Sequence, residues 1–320
     1  MRSAAIFENW VKRMDKQIHL GERSILRYYE CPDGIHVTEY QGNEQKVKIP
    51  DSIEHIPVTA VGRKAFLNNR MLHTVQVPEE VRSVGDWAFA NCPSLETVIL
   101  PKEEIVFGRN VFSRSHRLKR IFLYTNGNVR KDRQGQEETA ALLAASSRIL
   151  QADYLLKPLE AGSEAWLRSF DERMFTVFGQ KEEEALRDLV FCAEEDIEEK
   201  QEAFLKEWRK RKAELAYFRL SYPGGLSAVA KEFLQKYILE RTKDCGSESA
   251  WDVLKEGGED QIQYAKILLE AGGVNDLNFT NMLADLGEHH TELKAYLLKW
   301  KSDHGSDERA ECFWKTNFSI

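Results

Sequence analysis

Residues 81–101 read VRSVGDWAFANCPSLETVILP, and the same arrangement stands once before and once after with a period of 23 residues. The glycines Gly62, Gly85 and Gly108 fall on that period, as do Phe66, Phe89 and Phe112, then Leu72, Leu95 and Leu118. Val75, Val98 and Ile121 follow, and then Val77, Leu100 and Leu123. The alternating apolar positions at the end of each unit place every second side chain on one face of a short strand. Pro78 and Pro101 close the first two units, where proline is tolerated because the strand stops, and Tyr124 takes that place in the third. The glycine column suits a positive φ or a tight backbone approach. Ala65-Phe66 and Ala88-Phe89 supply one small and one large side chain for an interior. One unit cannot bury its apolar face alone. Three stacked units can, so the spacing predicts a three-turn solenoid with Phe66, Phe89 and Phe112 in one buried column.

The ends of such a stack need covers. Before the repeats, Ile35 and Val37 with Tyr28, Tyr29 and Tyr40 surround Asp33-Gly34, which reads as a hairpin cap within Tyr28–Pro50. Between the inward residues of each repeat strand lie Gln76, Ile99 and Phe122, which must point outward. Two of these three are large and apolar, whereas a solvated strand face alternates to polar residues. Adjacent apolar side chains on a surface mark something that covers them, so Gln76, Ile99 and Phe122 form the candidate interaction surface. The cover is expected from the chain's own helices, including one around Trp10, or from a partner.

The pattern V-x-x-[VI]-G-x-x-A-F-x-x-C-x-x-L-x-x-V-x-L-P, with a cap running Gly34-Ile35-His36-Val37-Thr38-Glu39-Tyr40-Gln41-Gly42 and then Ile56-Pro57, resembles the short leucine-rich repeats of the BspA-like class. The match covers about residues 28–124. It implies a small solenoid that binds other macromolecules, and the class brings no catalytic residues to carry over.

Beyond the repeats the periodicity changes. Residues 125–138, TNGNVRKDRQGQEE, carry almost no apolar side chains and read as a linker. Further on, Phe279, Met282, Leu283 and Leu286 fall at helical spacing, as do Leu293, Tyr296, Leu297 and Trp300. Asn275 suits an N-cap, Gly272-Gly273 a helix end, and Tyr222-Pro223-Gly224-Gly225 must interrupt a charged helix beginning near Glu194. Ala265-x-Ile267-Leu268 recurs thirty residues on as Ala295-x-Leu297-Leu298, a spacing that suits stacked helix pairs of ankyrin-like geometry, although the T-P-L-H-x-A signature is absent. The segment from Leu215 to His304 also resembles the helical C-terminal region of many intracellular bacterial leucine-rich repeat proteins, which implies a domain pairing and no chemistry. The expected fold is therefore α+β: N-terminal helix, hairpin cap and repeats over 1–124, a linker over 125–138, and an all-α helical repeat domain over 139–320.

Composition narrows the function. A chain of 320 residues allows about two domains. The net charge of −7 is not that of a nonspecific nucleic-acid binder. The charge is uneven: residues 1–124 hold 18 basic and 15 acidic side chains, and the remainder holds 27 against 37. Arg109, Arg114, Arg117, Lys119, Arg120, Arg130, Lys131 and Arg133 crowd a stretch whose one acid is Asp132, but aromatic residues are not interleaved as single-strand binding requires. That stretch is expected to face the acidic helical part. The five cysteines lie at least 53 residues apart without a C-x-x-C pair, and no export or spanning segment is evident, the longest apolar run being Ala140–Ala145. A reducing cytoplasm fits that usage.

Chemistry-bearing motifs are sparse. His289-His290 beside Glu288 lacks further ligands to complete a zinc shell, and Glu194, Glu195, Asp196, Glu198 and Glu199 lack calcium-loop spacing. Cys92 shares a repeat column with Asn69 and Ser115, so the solenoid accounts for it without a catalytic role. No nucleophile elbow, phosphate loop or dinucleotide turn is present. No catalytic residue, cofactor or metal is expected. The reading is a cytoplasmic, non-catalytic scaffold or adaptor for an unidentified protein partner, with neither membrane nor nucleic acid as target. The alternative is a hydrolase or transferase with its site in the interdomain cleft.

Overall fold

A computed structural model describes residues 15–125, 128–129, 133–147, 149, 152–187, 197–242, 245 and 249–304. The helix expected around Trp10 lies outside them, as do Glu194, Glu195 and Asp196 of the acidic cluster. The chain divides into two compact units, Met1–Val177 and Phe178–Ile320.

In the first unit, strands β1 (Lys16–Gly21), β2 (Ser24–Cys31) and β3 (Gly34–Gln41) form an antiparallel meander whose second turn is the hairpin at Pro32-Asp33. Then come β4 (Lys46–Lys48), β5 (Ser52–Ile53), β6 (Ile56–Val61), β7 (Thr74–Gln76), β8 (Ser83–Val84), β9 (Thr97–Pro101), β10 (Val106–Phe107), β11 (Arg120–Thr125) and β12 (Asn128–Val129). They sort into two sheets. One has the order β1-β2-β3-β6-β8-β10, with β5 on β6, and the other has the order β12-β11-β9-β7-β4. In the second sheet β4, β7, β9 and β11 are parallel, so Lys46–Lys48, which the sequence pattern assigned to the cap, supplies a fourth turn beneath the three repeats.

Aromatic stacking holds the turns together. Phe66, Phe89 and Phe112 are buried, with ring centroids 5.0 Å and 5.7 Å apart, and Tyr40 of the cap extends the column at 5.0 Å from Phe66. The glycine column proves to be a matter of close approach rather than of positive φ. A Cβ on Gly85 would sit 2.5 Å from the Arg63 backbone nitrogen and 2.8 Å from the Gly62 carbonyl carbon. Two other columns carry the left-handed backbone: Lys64, Trp87 and Asn110, then Asn68, Asn91 and Arg114. Polar ladders tie each turn to its predecessor. The Cys92 thiol donates to the Phe66 carbonyl at 3.2 Å, and one repeat later the Ser115 hydroxyl donates to the Phe89 carbonyl at 2.8 Å. Tyr124, at the position of the closing prolines, donates its hydroxyl to the Val77 carbonyl at 2.8 Å, and burial pushes its pKa up to about 12.

Helix α1 (Arg133–Ser146) begins inside the stretch that composition marks as a linker and packs against β11. Every residue from Ala140 to Ser146 is buried, so this apolar run is enclosed and the first unit runs past the last repeat. Helix α2 (Glu164–Gly179) follows, burying Trp166, Phe170 and Met174.

The second unit is helical: α3 (Glu182–Arg187), α4 (Ile197–Ser221), α5 (Ala228–Glu240), α6 (Ser249–Lys255), α7 (Gln261–Glu270), α8 (Asp276–Leu286) and α9 (Thr291–His304). Asn275 closes a capping box on α8, and Gly272 adopts φ 77° after α7, both as their positions suggest. The turn Tyr222-Pro223-Gly224-Gly225 follows α4, and buried Arg219 donates to the carbonyls of Tyr222 and Gly224. Lys212, also buried, donates to the carbonyls of Phe178 (3.2 Å) and Gln180 (2.9 Å), lies 3.5 Å from the centre of the Trp208 ring, and has its pKa lowered to about 8 by burial. The thirty-residue recurrence holds only in part. Leu268 and Leu298 are both buried, but Ala265 is buried where Ala295 is exposed, and the inner face of α9 is Leu293, Leu297 and Leu298 rather than Tyr296 and Trp300. Among the described residues no helix is long and apolar enough to cross a membrane.

Two stability outcomes follow from this packing. Replacing Phe89 with Ala removes the centre of the aromatic column and should cost about 3–5 kcal/mol in denaturant titrations. Tyr217, fully buried and stacked on Tyr264, has a hydroxyl without a hydrogen-bond partner among the described residues, so Tyr217→Phe should be neutral or stabilising by up to about 1 kcal/mol in the same assay.

Candidate functional site

Strand pairing defines the outward face of the parallel sheet residue by residue, with helix α1 packed against its last strand, β11. Val47, Val75, Val98 and Ile121 stand in register and all are buried, so their neighbours on either side face outward. One outward column is Lys48, Gln76, Ile99 and Phe122, and the other is Lys46, Thr74, Thr97 and Arg120. Gln76, Ile99 and Phe122 are therefore neighbours on one surface, as their spacing requires, and all three are half-buried. Lys46 and Lys48 are exposed. One column runs from Lys48, which pairs with Asp51 at 3.1 Å, to the apolar Ile99 and Phe122, while the other begins at Lys46 and ends on Arg120. The sequence pattern alone did not bring Lys46 and Lys48 to this face, because a three-residue strand with a single apolar position carries no alternation to read.

Of the basic stretch beyond Arg109, Arg117 pairs with Glu96 at 2.6 Å and Arg120 with Glu137 at 3.1 Å, both within the first unit. The side chains of Arg130, Lys131 and Arg133 lie outside the described residues.

Cys92 is buried, and burial pushes its thiol up to about 11. In the second unit a cavity of about 440 Å³ is lined by Lys206, Arg209, Lys210, Arg241, Glu240 and Asp252. Three of its cations are matched by the unit's own carboxylates: Arg209 donates twice to Glu182, at 2.8 and 2.9 Å, Lys210 pairs with Glu256, and Arg241 lies 3.9 Å from Glu240. The Gln261 side-chain amide donates to His290 Nδ1 at 3.2 Å, and His289 is exposed. The grouping of metal-type donors among the described residues is a different one, Cys31, Asp33 and His36 on the β2–β3 turn.

A period of 23, four stacked parallel strands and a phenylalanine column define the region. Residues 39–133 match the BspA-type leucine-rich repeat region in six copies. The solenoid is a BspA-type leucine-rich repeat region. Solved structures similar to it are the leucine-rich repeat protein of T. pallidum, 33% identical over 30% of this chain and 46% of that one with a TM-score of 0.29, and a leucine-rich cell surface protein from Faecalibacterium prausnitzii, 27% identical over 34% and 30% with a TM-score of 0.29. A leucine-rich repeat protein from Bacteroides capillosus is 24% identical over 34% of this chain and 99% of its own, with a TM-score of 0.28. The match spans less than half the length of the first two. No curated protein matches the chain.

Placing Cys92 in the ladder of this BspA-type region has a measurable consequence. A thiol whose folded pKa is about 11 against an ordinary 9 favours the fold below pH 9 and loses that contribution as the pH climbs through 11. At pH 8, iodoacetamide should label Cys92 only at the rate of unfolding, with half-exposed Cys31 labelled far sooner, as peptide mapping of timed samples would show.

Proposed function

We propose that this chain is a non-catalytic protein-interaction module, and that the outer face of its parallel repeat sheet docks an extended segment of a protein partner. The observation that carries the reading is the register of Ile99 beside Phe122, two large apolar side chains left half-exposed on adjacent strands. Half-exposed apolar neighbours gain on being covered, by about 1 kcal/mol each for the area still open to water. Lys46 and Lys48 at the other end of the face favour a segment carrying carboxylates beyond its apolar anchors. Gln76 lies between the two ends, where its side-chain amide already hydrogen-bonds Tyr124 and keeps its remaining hydrogen-bonding capacity for a passing backbone. Stacked repeats suit this role because their surface residues vary over a fixed core.

The reading is non-catalytic because the buried nucleophile of the repeats, Cys92, serves the inter-turn ladder. We place the protein in the cytoplasm on the thiols of Cys31, Cys92 and Cys245, and cell fractionation would test that placement.

Capture from native lysate with the tagged full chain tests the surface. Exchanging Ile99 and Phe122 together for Ser should abolish capture of whatever the unaltered chain retains. Lys46→Glu with Lys48→Gln alters only exposed side chains, gives up the exposed Lys48–Asp51 pair, and should weaken the same capture with at most a small shift in melting temperature. Retention of the same proteins by both variants would refute the docking surface.

A further inference from the structure

The turn joining β2 to β3 brings three different donor types together. Its sequence is Cys31-Pro32-Asp33-Gly34-Ile35-His36, with Cys31 paired to Gly34 and Tyr29 paired to His36 across the strands. Proline in the second position and glycine in the fourth are the residues that a tight turn favours. Gly34 takes φ 135°, and a Cβ there would meet Thr59 and the Pro57 carbonyl at 2.5 to 2.7 Å, so the turn has little freedom to rearrange.

Strand alternation then sorts the side chains. Tyr28, Ile35 and Val37 point into the core, leaving Tyr29, Cys31 and His36 on the opposite face, with Asp33 at the turn beside them. The Cys31 sulfur, one Asp33 carboxylate oxygen and a His36 ring nitrogen all lie within 4.8 Å of one another. His36 Nε2 is 3.1 Å from Asp33 Oδ2, while its other nitrogen, Nδ1, is 3.1 Å from the Tyr29 hydroxyl. The rings of Tyr29 and His36 lie 5.2 Å apart, which further fixes the imidazole.

We infer that this turn is a binding site for a divalent transition metal of the zinc class, with Cys31, Asp33 and His36 as its protein ligands. Sulfur, imidazole nitrogen and carboxylate oxygen together suit zinc, whereas calcium and magnesium need shells of oxygen. Tetrahedral ligands around zinc stand about 3.4 Å apart for metal–ligand bonds near 2.1 Å, so the histidine–aspartate pair opens slightly and the thiol swings inward. Cys31 releases its proton to solvent on binding, and the fourth position is left to water. Tyr29 is the positioning residue: its hydrogen bond to Nδ1 aims Nε2 at the metal. The metal would clip the two strands of the cap at their turn, a role separate from the docking face of the parallel sheet.

The test is titration of the reduced, metal-free full chain with cobalt(II), whose bond to thiolate produces a charge-transfer absorption, followed by displacement with zinc. One equivalent should develop the band. Cys31→Ser and His36→Ala should each abolish it, Tyr29→Phe should weaken binding by about tenfold, and Cys192→Ser and Cys312→Ser should leave it intact. Circular dichroism of each variant checks that the fold is retained, and His36→Ala alone decides the matter if Cys31→Ser does not fold. Absence of the band, its survival in His36→Ala, or its loss in Cys192→Ser or Cys312→Ser would overturn the site.

Discussion

Each turn of the repeat region must lie flat upon the last, and the constraint that enforces this is the close backbone approach at Gly62, Gly85 and Gly108. A side chain at Gly85 would collide with the backbone of the previous turn, so a Cβ there would prise apart the stacked rings of Phe66 and Phe89. With the turns in contact, the phenylalanines stack, the thiol of Cys92 and hydroxyl of Ser115 reach the carbonyls of the turn before, and β7, β9 and β11 fall into register. The outward columns of the sheet are a by-product of that register. Any property of the surface therefore rests on contacts made on the other side of the strands.

Much of this was readable from spacing because repetition multiplies a weak signal. One alternating run such as Thr97–Pro101 is ambiguous, but three aligned at the same interval specify strand, inward face and stacking column together. Tyr40 escaped because it belongs to the cap and precedes the period, although its ring continues the phenylalanine column. The left-handed positions escaped for another reason: Lys64, Trp87 and Arg114 are not residues that advertise a positive φ, and only tertiary packing holds them there.

The helical part was less legible. Its amphipathic windows and caps show individually, as Asn275 and Gly272 do, but the choice of inner face depends on which neighbour is packed against it. Trp300 has the right spacing and is only half-buried, while Leu298 is buried. Buried charges were invisible to hydropathy: Arg219 and Lys212 sit in a charged helix and differ from their solvated neighbours only in having backbone carbonyls to donate to. The donors on the β2–β3 turn are equally silent in the sequence. Cys31, Asp33 and His36 are ordinary residues of a hairpin until cross-strand pairing puts Tyr29 opposite His36.

The uniform turn also governs how the region can change length. Because each column is one side chain repeated at a fixed interval, gain or loss of a whole 23-residue unit leaves every stack, ladder and glycine contact intact and only moves the ends farther apart or nearer together. Loss of a single residue within a strand would instead exchange its inner and outer faces. Descent with variation is therefore quantised here: the solenoid can grow or shorten in steps of one turn, and the reach of its outward face changes by the width of one strand at each step, about 4.8 Å.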